Sequence, residues 1–220
     1  KLISMYPTVT VDMGGQAEES ARAGQEIGMY FGGAFLIMFF IIMITFKSFY
    51  QALLIILMIP LGWLGASIGH GIEGHPVSLL SAWGMIALSG VVINDAVVFL
   101  AKFNSLVKEG VSVYDAAFDA GIARFRAIML TSITTVVGLY PLIMETSFQA
   151  QFLIPMAISV AYGVFFGTIF ILLFFPPLIL FFNDIRRYTQ WLWTGEKPER
   201  EDVERVLIDE KRLEEYRESA

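Results

Sequence analysis

Cysteine is absent from the 220 residues, which excludes disulfides and thiolate metal sites and says nothing further about compartment. Charge is scarce: 16% of residues are charged, against about 25% in an ordinary soluble domain. No basic stripe interleaved with aromatic residues occurs, so a nucleic-acid partner is not expected. A His-Glu-x-x-His helix is missing, and only one carboxylate lies deep inside an apolar run. Metal-dependent and aspartyl intramembrane hydrolases therefore lack their residues, and the chain is not expected to be an enzyme. The first residue is Lys1 rather than methionine, and no signal peptide precedes the apolar runs. The chain reads as part of a longer polypeptide whose remainder lies upstream of Lys1.

What is present is hydrophobicity, and it comes in blocks. The composition is 56% hydrophobic and 14% aromatic, with a mean hydropathy of +0.65. Nearly uncharged runs of about 18 residues or more recur, each long enough to cross a hydrocarbon layer about 30 Å thick. Five spans are expected, at about 28–46, 50–69, 77–103, 127–144 and 154–182. The fold class is an all-α membrane protein: a polytopic bundle of five transmembrane helices, with a short N-terminal remnant of an extracytoplasmic α+β domain. That remnant covers 1–27, the bundle 28–187, and a charged tail 188–220. Within the remnant, "TVTVDMGG" alternates like a strand and stops at a Gly-Gly turn. "QAEESARAGQEIG" follows as a helix start with acidic residues in its first turns. A lone strand cannot fold by itself, so its mates are expected upstream.

Lysine and arginine mark the orientation. Lys47, Lys102, Lys108, Arg124, Arg126, Arg186 and Arg187 fall on one set of loops, while "HGIEGHPVS" and "METSFQAQF" hold none. The N-terminus is expected outside, the C-terminus in the cytoplasm, and the lipid bilayer is the surrounding partner. Val113, Tyr114, Ala117, Phe118, Ile122 and Phe125 recur at helical spacing with Asp115 and Asp119 opposite. This predicts a separate amphipathic helix at about 112–125, lying in the interface and joining the third and fourth spans. Tyr188, Trp191 and Trp193 follow Arg186 and Arg187 as an interfacial anchor, and the mixed-charge residues beyond read as a solvated tail.

Small residues at four-residue spacing, Gly28/Gly32, Gly65/Gly69 and Gly163/Gly167, allow close helix approach in lipid. Pro60, Pro141, Pro176 and Pro177 are expected to loosen their helices locally. His70, Glu73 and His75 share one outside loop, but two histidines and one glutamate on a glycine-rich loop do not define coordination geometry. They read as loop polarity, and no metal is expected.

Asp95 stands apart. In "GVVINDAVVF" it lies roughly 10 Å inward of Lys102, counting about 1.5 Å per residue. A lone carboxylate at such depth costs about 2.5–3.5 kcal/mol on insertion scales, and an intramembrane ionisable group is functional by default. Its surroundings decide its charge, so it can take or release a proton as they change. By the same count Thr131 lies roughly 7 Å beyond Arg126, with Thr135 one turn further. Asn94, Asp95, Thr131 and Thr135 are thus expected to form a polar cluster between neighbouring helices. Arg124 or Lys102 can supply a cation at its cytoplasmic edge. The alternative is that the threonines bond their own helices or tie the bundle together.

"GVVINDAVVFLAKF", then about twenty residues, then "RFRAIMLTSITTVVGLYPLI", resembles the resistance–nodulation–division (RND) family of efflux pumps. "FKSFYQALLIILMIPLGWLGA" is similar to that family's preceding hairpin, and "VFFGTIFILLFFPPLILFF" to its last span. The resemblance implies spans eight to twelve of a twelve-span exporter in the bacterial inner membrane. It implies a proton-motive-force-driven pump of amphiphilic compounds with protons as coupling ion and no other cofactor. A homotrimer is implied, with a periplasmic adaptor and an outer-membrane channel as partners. Asn94, Asp95, Arg124 and Thr131 fall on the family's proton-relay positions, with Thr135 and Lys102 in support. Asn94 replaces the lysine, and Asp95 the asparagine, of many drug pumps. Either Asp95 joins the relay directly, or coupling differs from that of the better-known members; the competing reading is a transport-inactive scaffold or sensor that keeps the fold.

Overall fold

A computed structural model describes residues 15–195 and 198–218. The strand expected within "TVTVDMGG" lies outside them. Every regular element among the described residues is helical, and five helices are long and apolar enough to cross a membrane. Residues up to Met38 form one unit and Phe39–Ala220 a second; the candidate site lies wholly within the second.

Helix α1 (Gln16–Phe46) ends where Lys47 takes a positive φ of 50°. Ser48 then caps α2 (Phe49–Ile56), its hydroxyl accepting the Gln51 N–H at 3.4 Å. Two residues, Lys47 and Ser48, thus join α1 to α2. Helix α3 (Met58–Glu73) continues the same apolar segment after a break at Leu57. Pro60 explains the break, because it has no N–H for the Ile56 carbonyl and its ring presses on that group. Gly74, at φ 69°, closes α3 in the left-handed conformation that glycine takes without a Cβ penalty.

Helix α4 (Leu79–Lys108) opens with a capping box: the Ser78 hydroxyl accepts the Ser81 N–H, and Ser81 Oγ accepts the Ser78 N–H. Helix α5 (Val113–Ile143) opens on Ser112, which accepts the Asp115 N–H at 3.1 Å. Here the expectation of a separate interfacial helix at about 112–125 is corrected. Connector and fourth span form one unbroken helix, since "ARFRA" holds no breaker and favours helix. The packed stripe also differs from the one expected. Val113, Ala116, Ala117 and Ala120 are buried, while Tyr114, Phe118, Ile122 and Phe125 are exposed. Small residues admit a neighbouring helix closely, so the alanines win that face.

Helix α6 (Ile154–Thr194) runs for 41 residues through Pro176 and Pro177. At 1.5 Å per residue it is roughly 60 Å long, about twice the hydrocarbon thickness, so it projects beyond the span expected at 154–182. Helices α3, α4 and α6 form the packed centre, and glycine sets their spacing. A Cβ at Gly65 would stand 2.6 Å from Phe166 Cβ, and one at Gly69 would overlap the Tyr162 ring. A Cβ at Gly163 would overlap Leu88, and one at Gly167 would meet Val92 Cγ2 at 3.3 Å. Two of the three small-residue pairs are therefore packed, whereas Cβ atoms at Gly28 and Gly32 would meet nothing within 4 Å.

The tail is corrected as well. It is not solvated throughout: after Gly195 the chain returns along the end of α6, and Val203 and Glu204 are buried. Asp184 pairs with Arg200 at 3.0 Å, and Arg186 with Glu204 at 3.4 Å. Asn183 donates to the Arg200 carbonyl at 3.0 Å and to Glu204 Oε1 at 2.5 Å. Helix α7 (Arg205–Glu218) follows and packs near α4. A mixed-charge run is solvated when it lacks partners, and the end of α6 supplies them.

Candidate functional site

Asp95 is 7% exposed, on the face of α4 that also carries Phe99 one turn away. Phe99 packs edge-on against Phe175 of α6, ring centroids 5.1 Å apart, and its ring edge would lie 3.5 Å from a Cβ at Gly121 of α5. The wedge fixes the register. Helices α4 and α5 are antiparallel across a four-residue connection, so one turn inward from Phe99 on α4 corresponds to one turn onward from Gly121 on α5. Asp95 is thereby level with Phe125, and Arg124 adjoins that level.

No hydrogen bond or ion pair reaches the Asp95 carboxylate among the described residues. Arg124 shows the complementary condition: its Nε is buried and has no hydrogen-bond partner. A buried unpaired nitrogen is uncommon in native structures, and by helical rise the two residues stand near one level on adjoining helices.

Thr131 lies deeper than expected. Six residues past Phe125, it is roughly 9 Å further in than Asp95 by helical rise. The sequence count treated Lys102 and Arg126 as one level, but the Phe99–Gly121 contact sets Lys102 opposite Phe118. The Thr131 hydroxyl donates to the Ile128 carbonyl at 2.9 Å, and Thr135 to the Thr131 carbonyl at 2.8 Å. Both threonines bond their own helix. Asn94 is exposed and points away from the packed face that holds Asp95, and Lys102 is half-buried two turns toward the helix end.

Sequence reasoning missed several polar ties between helices. Ser132, beside Thr131, shares a short hydrogen bond with Thr168 of α6, and both are buried. Gln51 and Asn104 exchange two amide hydrogen bonds, at 2.9 and 3.1 Å, between α2 and α4. His70, 3% exposed, faces the His75 carbonyl through Nδ1 at 3.1 Å and Ser159 Oγ through Nε2 at 2.9 Å. A carbonyl only accepts, so Nδ1 carries the proton and Nε2 accepts from Ser159. Both ring nitrogens serve the fold, and Glu73 accepts the Tyr162 hydroxyl at 2.5 Å. Single Ser, Gln and His residues carry no periodic signal, so only the packing reveals these pairs.

The fold has counterparts among known proteins. The fold matches two crystal forms of a heavy metal efflux pump, with TM-scores of 0.66 and 0.67 at 23% identity, covering 83% of this chain and 18% of that one. The Swarming motility protein SwrC of Bacillus subtilis (strain 168) is 28% identical over 76% of this chain and 16% of its own. The Cobalt-zinc-cadmium resistance protein CzcA of Cupriavidus metallidurans is 29% identical over 75% of this chain and 16% of its own. The Multidrug resistance protein MdtC of Erwinia tasmaniensis is 26% identical over 70% and 15%. The chain thus spans about one sixth of the length of these relatives. The AcrB/AcrD/AcrF family pattern runs through residues 1–183, the buried Asp95 and the Arg124 helix included, and to that RND efflux family the chain belongs.

Proposed function

We propose that this chain supplies the C-terminal membrane half of a proton-motive-force-driven exporter, and that Asp95 is the proton-carrying group of its relay. One observation carries the reading: Asp95 is a buried residue whose carboxylate has no hydrogen-bond or ion-pair partner among the described residues, and by helical count it stands near the level of Arg124, whose Nε is buried and unpaired. A carboxylate so placed is costly while ionised and unpaired. Protonation removes that cost, and an approach of Arg124 compensates it. Alternation between those two conditions is the chemistry that a proton-driven machine needs. Asn94 is exposed, turned away from the packed face, and Thr131 and Thr135 line the deeper part of α5. Lys102 supports the relay from the helix end as a half-buried cation.

On this reading the protein is a multi-pass inner-membrane transporter, N-terminus periplasmic and C-terminus cytoplasmic. It works as a homotrimer with a periplasmic adaptor and an outer-membrane channel, and protons are its coupling ion. The cargo is a class of amphiphilic compounds. A second reading, divalent metal cations, draws on the CzcA relative and the metal-pump fold. A third, a transport-inactive scaffold or sensor, draws on Asn94 standing where many drug pumps have lysine.

The test is transport by the full-length protein in proteoliposomes under an imposed proton gradient, with a fluorescent amphiphile in one arm and zinc in the other. Wild type is expected to move the amphiphile, and Asp95→Ala to abolish gradient-dependent movement while the trimer stays folded. Zinc movement alone selects the second reading, and no movement in either arm the third. Unchanged transport by Asp95→Ala removes the residue from the relay.

A further inference from the structure

The family pattern runs to residue 183, and from there a cluster of charged and polar residues joins α6 to the segment that follows it. Asn183, Asp184, Arg186 and Arg187 lie in the last part of α6, about two to three turns before its end, and the returning segment meets all four. Arg187 Nε donates to the Pro198 carbonyl at 3.0 Å. Arg200 reaches both Asp184 oxygens, at 3.3 and 3.0 Å. Arg186 donates to the Val203 carbonyl and lies 5.6 Å from the Tyr50 ring centroid, so α2 joins the same cluster. Glu204 and Val203 close it, each nearly inaccessible.

One residue of this segment reaches elsewhere. Glu201 Oε1 accepts the backbone N–H of Val113 at 3.2 Å, across 88 residues of sequence. Val113 is the first residue of α5, and its N–H has no partner within the helix. Ser112 caps the same terminus but takes the Asp115 N–H instead. The carboxylate also suits the positive end of the helix dipole. Helix α5 is the element that carries Arg124 and Thr131.

We propose that Pro198–Glu204 is a strap from the end of α6 to the start of α5, and that Glu201 is a positioning residue setting the height of Arg124 against Asp95. The proposal rests on the relay reading given above. Its physical content is simple. Sliding α5 along α6 by one turn, about 5.4 Å, would break the Glu201–Val113 bond, while the cluster around Arg186 would hold. The strap therefore biases α5 toward one height and gives way when the helix moves.

Two measurements on the full-length transporter test it, using Glu201→Ala and Glu201→Gln. Glutamine keeps the oxygen that accepts the Val113 N–H, so it serves as the conservative rescue. Amide hydrogen exchange in the first turn of α5 should quicken about tenfold or more in Glu201→Ala, the size expected of a hydrogen bond to a charged group. Glu201→Gln should restore most of the protection. The pH profile of transport should shift in Glu201→Ala and return toward wild type in Glu201→Gln. Unaltered exchange in Glu201→Ala overturns the strap, and altered exchange with an unmoved pH profile overturns the positioning role. If wild type shows no proton-driven transport at all, the relay reading fails, and exchange alone decides whether the strap exists.

Discussion

Gly84 of α4 lies directly against the backbone of α6: a Cβ there would stand 2.7 Å from the Met156 carbonyl oxygen and 2.9 Å from Ser159 Cβ. The neighbour is backbone and cannot rotate away, so Gly84→Ala must push two helices apart. Overpacking of this kind costs about 1–3 kcal/mol. Gly90, on the same helix, has nothing within 4 Å of its Cβ position. Gly90→Ala should leave stability level or raise it by up to about 1 kcal/mol, as alanine is the better helix former. Thermal unfolding of the detergent-solubilised transporter separates the two variants. Equal melting temperatures would mean that this contact does not hold the bundle.

The glycine pattern shows how far sequence carried. Four-residue spacing marked Gly65/Gly69 and Gly163/Gly167 because helical geometry puts such pairs on one face, and hydropathy located all five spans since lipid imposes length and polarity together. Gly84 carried no signal, because its partner is a carbonyl 72 residues away and nothing local reveals it. The end of the amphipathic helix near Phe125 was misread for a related reason: passage from the interface into hydrocarbon need not interrupt backbone hydrogen bonding. Asp95 was legible as one carboxylate in an apolar run. Its register against Arg124 was not, since that depends on Phe99 wedging between Gly121 and Phe175. The docked tail escaped because each ion pair joins residues that look equally solvated in isolation.

Gln51 and Asn104 are tied by two amide hydrogen bonds, and Gln51 is 5% exposed. Truncating either one strands the other, so each single alanine variant should cost nearly as much as the double variant. Interhelical polar pairs in membrane proteins couple by about 0.6 kcal/mol, with a maximum of about 1.7. A double-mutant cycle by denaturant titration should return a coupling energy in that range. Strict additivity would show that the pair contributes shape and not bonding.

Ser132 and Thr131 are neighbours with opposite roles. The Ser132 hydroxyl meets Thr168 on α6, while the Thr131 hydroxyl returns to its own helix. Ser132→Ala should therefore destabilise the bundle by about 0.6–1.7 kcal/mol, and Thr131→Val, which keeps the shape, by about 0.5 kcal/mol or less. Transport should rank them in reverse, with Thr131→Val the more damaging. Melting curves and proton-driven transport on the same preparations make the comparison. If Thr131→Val transports like wild type, the hydroxyl has no part in the relay.

Glu204 gives the strap a pH dependence whose sign follows from its surroundings. Burial pushes its carboxyl above the ordinary glutamate value of 4.5, and the neighbouring Glu201 charge pushes the same way. The Arg186 guanidinium and the Asn183 amide pull downward without overcoming that burial. A raised value in the docked state means that docking binds the proton more tightly than release does. Docking is then strongest below the ordinary value and weakens as pH rises through the elevated one. Hydrogen exchange across Pro198–Glu204, corrected for intrinsic rates, should quicken with rising pH in wild type. In Glu204→Gln, which cannot ionise and keeps an acceptor for Asn183, protection should stay level over the same interval. Superimposable curves for the two proteins would show that Glu204 keeps one charge state throughout, with Arg186 holding the carboxylate ionised.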